Sequence, residues 1–333
     1  MLFRSLAAIT LCLSSCTPPA EYAAIDGMTQ GTTYHIVVEK SPGLDVMKLR
    51  QDIETLCSVV DNSLSIYNDS SVISLINGNR SNITDSLLRE VFRLSSRVSE
   101  QSGGLFDITV GPLVRAWGFG PDAMKRFDES MLDSLLALVG MDKVRLEGGR
   151  IIKADPDMFI DVNAIAQGYT VDLVIDLLLR NGISECLAEV GGEVRTVGDK
   201  RGDGWRVGID TPADGNYLPG DDMRATVRLD DRALATSGNY RKFYVEDGVK
   251  YSHTIDPRTG YPVRHTLLSA TVTAPTAAEA DAWATVCMVA GREEAAAFIE
   301  RYDSLEGYLI FSDENGEMRS WISEGLRRDI REK

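Results

Sequence analysis

Residues 267–291, LLSATVTAPTAAEADAWATVCMVAG, read as a strand that turns straight into a helix. Leu267–Ala274 has a strand pattern and stops at Pro275, which cannot donate to a ladder. Thr276 and Glu279 have the spacing of a capping box, the Ala-rich run reaches Ala290, and Gly291 marks its stop. Within that helix Asp281 and Thr285 stand at i and i+4, so a carboxylate and a hydroxyl share one face of its first turns. Both are hard oxygen donors that suit Mg²⁺ together with a backbone carbonyl, water and phosphate oxygens. The carboxylate would equally serve the helix dipole, and the threonine would equally pack.

Outward from this stretch, β signals dominate from Cys186 on. Cys186–Val190 is a short strand running into Gly191-Gly192, Trp205–Ile209 and Arg224–Leu229 follow, and residues 242–245 and 249–252 flank Asp247-Gly248 as a hairpin. Earlier, the strand Thr32–Glu39 precedes a helix marked by Val46, Leu49, Ile53, Leu56 and Val60 at three- and four-residue spacing. A second helix spans Asp85 to Ser102 and ends at Gly103-Gly104. A third covers Asp128–Val139, and a fourth covers Ile165–Leu179 and is stopped by Asn181-Gly182. Strands and helices in runs, rather than βαβ alternation, predict an α+β fold of mixed or antiparallel sheets with packed helices.

The 333 residues supply a sizeable core, and 44% hydrophobic with 26% charged residues excludes global disorder. Fifty acidic against 35 basic residues give a net charge of −15 with no basic run, which argues against nucleic acid as a partner. A polyanionic ligand remains open if a divalent cation or backbone N–H groups meet its phosphates. Arg4 and the apolar run Leu6 to Leu13 read as an export signal too short to span a membrane. Leu13-Ser14-Ser15-Cys16 resembles the bacterial lipobox, which makes Cys16 the lipidation site. The expected organisation is a signal peptide over 1–15, a lipidated Cys and tether over 16–25, and one catalytic domain over 26–330. That places a lipoprotein in the cell envelope, facing the periplasm, with the choice of inner or outer membrane open. Cys57, Cys186 and Cys287 are odd in number and far apart, so they read as packing residues rather than a disulfide, zinc or redox set.

No Walker A loop, G-x-G-x-x-G, G-x-S-x-G or H-E-x-x-H is present. Polar clusters sit instead at element ends. The run from Ser252 to Gly260 leaves the hairpin and enters a Pro/Gly turn, where His253 and Asp256 can face one cleft. His35 and His265 read as structural or solvated.

In chain order, Gly27-Met28-Thr29-Gln30-Gly31-Thr32, Ser65-Ile66-Tyr67-Asn68 with the following 71–77, Gly104–Leu113 (GLFDITVGPL) and Asp161–Tyr169 (DVNAIAQGY) form a recognisable series. It continues with Gly191-Gly192-Glu193, Thr236-Ser237-Gly238, the His253–Gly260 turn and Asp281-x-x-x-Thr285. The series resembles the ApbE family of FAD:protein FMN transferases from about Gly27 to Ser312. The resemblance implies Mg²⁺-dependent transfer of FMN from FAD to a threonine hydroxyl of an acceptor protein, with release of AMP. It implies FAD lined by Met28, Tyr67, Leu105, Phe106, Asp107, Asp161, Gln167 and Ile255, and Mg²⁺ held by the Ala164 carbonyl, Asp281 and Thr285. His253 would take the hydroxyl proton, with Asp256 setting its tautomer or helping the metal. Tyr240, Arg241 and Tyr244 would shape the acceptor entrance. The implied acceptors are subunits of membrane redox complexes or flavoprotein reductases carrying a matching threonine motif.

The chain departs from the family's usual Leu-Gly-Gly-Ile-Ala-Lys-Gly at 162–168, where Gln167 replaces a lysine and cannot neutralise phosphate. Two alternatives stand beside transfer. One is hydrolysis of FAD to FMN and AMP on the same metal site; the other is a non-enzymatic flavin-binding lipoprotein, against which the Asp281/Thr285 pair argues.

Overall fold

The computed structural model describes residues 20–120, 127–213, 216, 220–239, 243–246 and 249–333, with backbone alone for 243–246 and 249–251. Cys16, Tyr240, Arg241, the Asp247-Gly248 turn and the side chain of Tyr244 lie outside the described residues. The chain begins with β1 (Tyr22–Thr29), β2 (Thr32–Glu39), α1 (Val46–Leu64), α2 (Val72–Asn77), α3 (Ser86–Gln101), α4 (Gly111–Ala116) and α5 (Leu132–Leu136). It continues with β3 (Val144–Glu147), β4 (Arg150–Lys153), α6 (Asn163–Arg180), β5 (Cys186–Val190), β6 (Glu193–Val197), β7 (Trp205–Asp210), β8 (Met223–Leu229) and β9 (Ala233–Gly238). The last elements are β10 (Phe243–Glu246), β11 (Val249–Ser252), β12 (Leu267–Ala274), α7 (Ala277–Ala290), α8 (Arg292–Arg301), β13 (Glu306–Ser312), β14 (Met318–Ile322) and β15 (Ile330–Glu332).

Eight strands form one antiparallel sheet in the order β1-β2-β5-β6-β9-β12-β13-β14. Period-two alternation sends Tyr34, Ile36, Ala188 and Val190 to one face, where they join α1, α6 and α7 in the largest core. The other face carries Val194, Leu234 and Ile310 onto a small sheet of β7, β8 and β15 through Ile209, Val227 and Ile330. A third cluster gathers Leu113, Trp117, Leu135, Val139 and Ile255. The α+β expectation therefore holds, in antiparallel form. Cys57, Cys186 and Cys287 are free and buried, as expected.

Two expectations change. The sheet begins at Tyr22, inside the stretch expected to be tether, because β1 pairs with β2 from Tyr22–Glu39 onward and buries Ile25 completely. The third helix is shorter than Asp128–Val139. Asp128 caps a 3-10 turn over Glu129–Met131, and only α5 is α-helical. Past Leu136 the Leu138 and Val139 N–H groups bond only three residues back, to Leu135 O and Leu136 O, and the Gly140 N–H goes to Thr109 Oγ1 at 2.7 Å.

Helix α7 packs closely on both sides. Its Ala280, Ala282 and Ala284 are fully buried, and the strands beneath it offer Ala233, Ala235, Ala270 and Ala274. Where α7 meets α6, Gly168 lies against its first turn. A Cβ there would come 2.6 Å from the Ala277 carbonyl carbon and 2.9 Å from Ala278 Cα, and would overlap Ala277 O.

Gly168→Ala therefore sets two effects against each other. An exposed helix position would gain about 0.5–1 kcal/mol, whereas overpacking of a fixed backbone contact costs about 1–3 kcal/mol. The second wins, so thermal melts should show a lower Tm for Gly168→Ala, and a raised Tm would contradict the close crossing.

Candidate functional site

Asp281 is 6% exposed at the α6–α7 crossing, and its Oδ2 accepts the Gly168 N–H at 3.2 Å. That bond is the one hydrogen bond of its carboxylate among the described residues. Burial pushes its pKa from 3.8 up to about 7, with the Gly168 N–H pulling the other way. In a regular helix the Gly168 N–H points at the Ala164 carbonyl at about 2.9 Å. The carboxylate and the Ala164 oxygen thus converge on one N–H, within about 6 Å of each other. Thr285 stands one turn beyond Asp281 on α7 and is partly exposed.

A second constellation lies along a cleft of about 520 Å³ bounded by Gly103, Gly104, Asp107, Gly140, Pro257 and Arg258. The glycine stop of α3, the loop after it and the 253–260 turn thus share one cavity. Asp107 is committed within it: Oδ1 accepts from Thr109 N at 2.7 Å and Thr109 Oγ1 at 2.6 Å, and Oδ2 from Met141 N. Burial still raises its pKa, against the pull of those donors. The Asp161 N–H donates to Ile108 O at 2.7 Å, and Asp161 Oδ1 accepts from Asn163 N at 2.9 Å. Those two bonds tie the loop behind Asp107 to the first turn of α6. Tyr67 is 65% exposed beside the same turn. Its hydroxyl pKa is raised by partial burial and then by Asp161, and the Asn163 side chain opposes this.

The remaining expected residues fall in three kinds of place. Leu105, Phe106 and Ile255 are 1%, 2% and 5% exposed, so their side chains belong to the cores. Asp256 gives both oxygens to Arg258, at 3.1 and 3.0 Å, and accepts the Arg258 N–H at 2.9 Å. It therefore stabilises its own turn rather than orienting His253, which meets the Phe119 ring edge at 6.3 Å between centroids. Met28 is 78% exposed, and its pairing with Thr33 puts it on the Asp26–His35 face, away from the helices. Gln167 lies over the Gly191 turn, so close that a Cβ on Gly191 would come 2.5 Å from its Nε2. His35 is exposed and pairs with Asp26 at 2.5 Å, while His265 Nε2 bonds Met288 O at 2.8 Å near the end of α7, so both are structural or solvated as expected.

Three residues near the site escaped the sequence reading. Gln30, at the β1–β2 tip, donates to Thr170 Oγ1 at 2.7 Å and fastens the hairpin to α6. Thr170 spends its own proton on Ala166 O, so the Gln30 amide orientation is fixed by bonding logic. Asp172 and Arg195 form a buried pair at 2.7 Å beside the start of α7. An acid on the apolar stripe of α6, four residues after Gly168, was the available signal for Asp172.

The family model described as the ApbE family matches residues 30–309. The chain belongs to the ApbE family. A Vibrio cholerae FAD:protein FMN transferase is 36% identical over 87% of this chain and 88% of its own length. One from Escherichia coli K12 is 33% identical over 92% of this chain and 89% of its own. Among solved structures, the flavin transferase ApbE from Vibrio cholerae has a TM-score of 0.83 at 32% identity, covering 93% of this chain and all of that one. The apo Pseudomonas stutzeri flavinyl transferase ApbE has a TM-score of 0.83 at 31% identity, over 93% and 96% of the two chains.

The raised Asp281 pKa has a definite sign in stability. Between 3.8, the unfolded value, and about 7, the folded chain holds a proton that the unfolded chain has released. Metal-free stability should therefore fall as pH rises through that window and level off above it. Asp281→Asn should lose this slope, so chemical denaturation in EDTA across the window should show the variant gaining on the wild type as pH rises. Parallel curves would contradict the buried-carboxylate assignment.

Proposed function

We propose that this ApbE-family protein transfers FMN from FAD to an acceptor protein. The carrying observation is the α6–α7 crossing, where the buried Asp281 carboxylate has a single N–H donor among the described residues, from Gly168 of α6. Burying a carboxylate with so little compensation is costly unless a cation meets it. No group of three His, Cys, Asp or Glu side chains gathers for a metal among the described residues. One carboxylate with neutral oxygens suits Mg²⁺, which keeps water and phosphate oxygens in its shell, better than zinc. Asp281, Thr285 and the Ala164 carbonyl would hold Mg²⁺, which when bound offsets negative charge on the pyrophosphate of FAD.

The chain's own residues do the rest. The cleft beside Asp107 takes the adenosine half of FAD, and Tyr67 covers the other end near Asp161. Asp107 acts through the loop it braces, since Thr109 and Met141 already claim its oxygens. The acceptor threonine oxygen bonds to the FMN phosphorus as the phosphorus–oxygen bond to AMP breaks, and the hydroxyl proton passes to His253. Arg258 neutralises Asp256 in the same turn and so keeps a further negative charge from the phosphates.

The test is intact mass of a candidate acceptor after incubation with the purified protein, FAD and Mg²⁺. The acceptor should gain FMN less water on a threonine, and AMP should appear in equal amount. His253→Ala should keep FAD binding and lose about 10²–10⁴-fold in transfer. Release of free FMN and AMP with no acceptor gain, at the same rate in both proteins, would make it a pyrophosphatase instead.

A further inference from the structure

The start of α7 has four N–H groups that the helix cannot satisfy from within. The capping box meets one, Glu279 N donating to Thr276 Oγ1 at 3.3 Å, and regular helical bonding begins with Ala280 N to Thr276 O at 3.1 Å. Two more reach across to α6. Ala277 N donates to Asp172 Oδ1 and Ala278 N to Asp172 Oδ2, each at 2.9 Å. Arg195, from β6, adds a third donor to Oδ1 at 2.7 Å. Asp172 is 9% exposed, so its carboxylate is held by these three groups rather than by solvent.

The local sequence Thr276-x-x-Glu279 is sufficient to start the helix. What Asp172 adds is location. It stands four residues after Gly168 on α6, and Asp281 stands four residues after Ala277 on α7. The two helices are therefore pinned at two successive levels, by Asp172 on Ala277 and Ala278 and by Gly168 on Asp281. Between them, the bare Gly168 Cα rests on the Ala277 carbonyl. A slide or lift of α7 at the first level is passed directly to Asp281 and Thr285 at the next, because the helix between is rigid and its alanines are packed on the sheet.

We infer that Asp172 is a positioning residue for the divalent-cation site: it seats the N-terminus of α7 so that Asp281 and Thr285 face the Ala164 carbonyl. This rests on the cation reading given under Proposed function. Partners that orient metal ligands typically carry about 10- to 100-fold in metal affinity, and the same range is expected here. Arg195 has a different part, since it balances the Asp172 charge and makes no hydrogen bond to α7 among the described residues.

The experiment titrates Mn²⁺ into the purified full chain, reading bound ion by electron paramagnetic resonance beside thermal melts without metal. Four variants are compared with wild type: Asp172→Asn, Asp172→Glu, Arg195→Met and Asp281→Asn. Asp172→Asn should raise the Mn²⁺ midpoint about 10- to 100-fold. Asp172→Glu keeps charge and donors but lengthens the link by one methylene, so it should fold even where Asp172→Asn does not and still raise the midpoint. Arg195→Met should lower Tm and leave the midpoint within about twofold of wild type, because a 2–3-fold spread is ordinary context dependence. A merely structural Asp172 would lower Tm in both its variants with the midpoint unmoved, which overturns the inference. Asp281→Asn separates the two levels. Loss of Mn²⁺ there with wild-type midpoints in both Asp172 variants defeats the positioning role alone, whereas a wild-type midpoint in Asp281→Asn defeats the cation reading and the inference together.

Discussion

The contact of the Gly168 backbone with the first turn of α7 governs the arrangement of the site. It brings two helices closer than side chains normally permit, and it spends that proximity on a polar contact, Gly168 N–H to Asp281. Alanines on α7 and on β9 and β12 let the same helix sink onto the sheet. The capping box starts α7, Asp172 locates it, and the sheet fixes its height. The carboxylate that results is buried because the packing is tight.

Electrostatics then select what such a site can bind. The chain carries a charge of −15, and within the site Asp107 and Asp256 are already compensated, one by hydroxyl and N–H donors, the other by Arg258. Asp281 has one N–H and a pKa near 7. A dinucleotide brings further negative charge, and Gln167 offers a hydrogen bond but no positive charge. Under the proposed function a cation would offset that charge, and the α6–α7 crossing is the place proposed for it.

The regular elements were legible because their signals are local. Strand Cys186–Val190, the Thr276 cap, the Gly291 stop and the Asp85–Ser102 helix with its glycine end follow from residues within one turn of each boundary. The shortened helix near Asp128 was not legible, because its last turn tightens into bonds three residues back and the Gly140 N–H goes to Thr109, which is distant in sequence. The site divides in the same way. Asp281 and Thr285 are singled out by spacing and, together with Ala164, by family resemblance. The face that Met28 takes was not legible, because sheet-face parity is decided by pairing with β2 and β5, and that parity turns it from the helices. Leu105, Phe106 and Ile255 were named as ligand contacts, and their side chains pack into the cores, which a sequence motif does not reveal. Asp172 was overlooked because an acid in an amphipathic helix reads as solvated until the partner helix is in place.

The most direct measurement of the central claim is anomalous diffraction from crystals of the protein soaked in Mn²⁺. The account predicts a single strong peak bounded by an Asp281 carboxylate oxygen, the Thr285 hydroxyl and the Ala164 carbonyl. A peak at Asp107 or Asp256 with none at the α6–α7 crossing would contradict it.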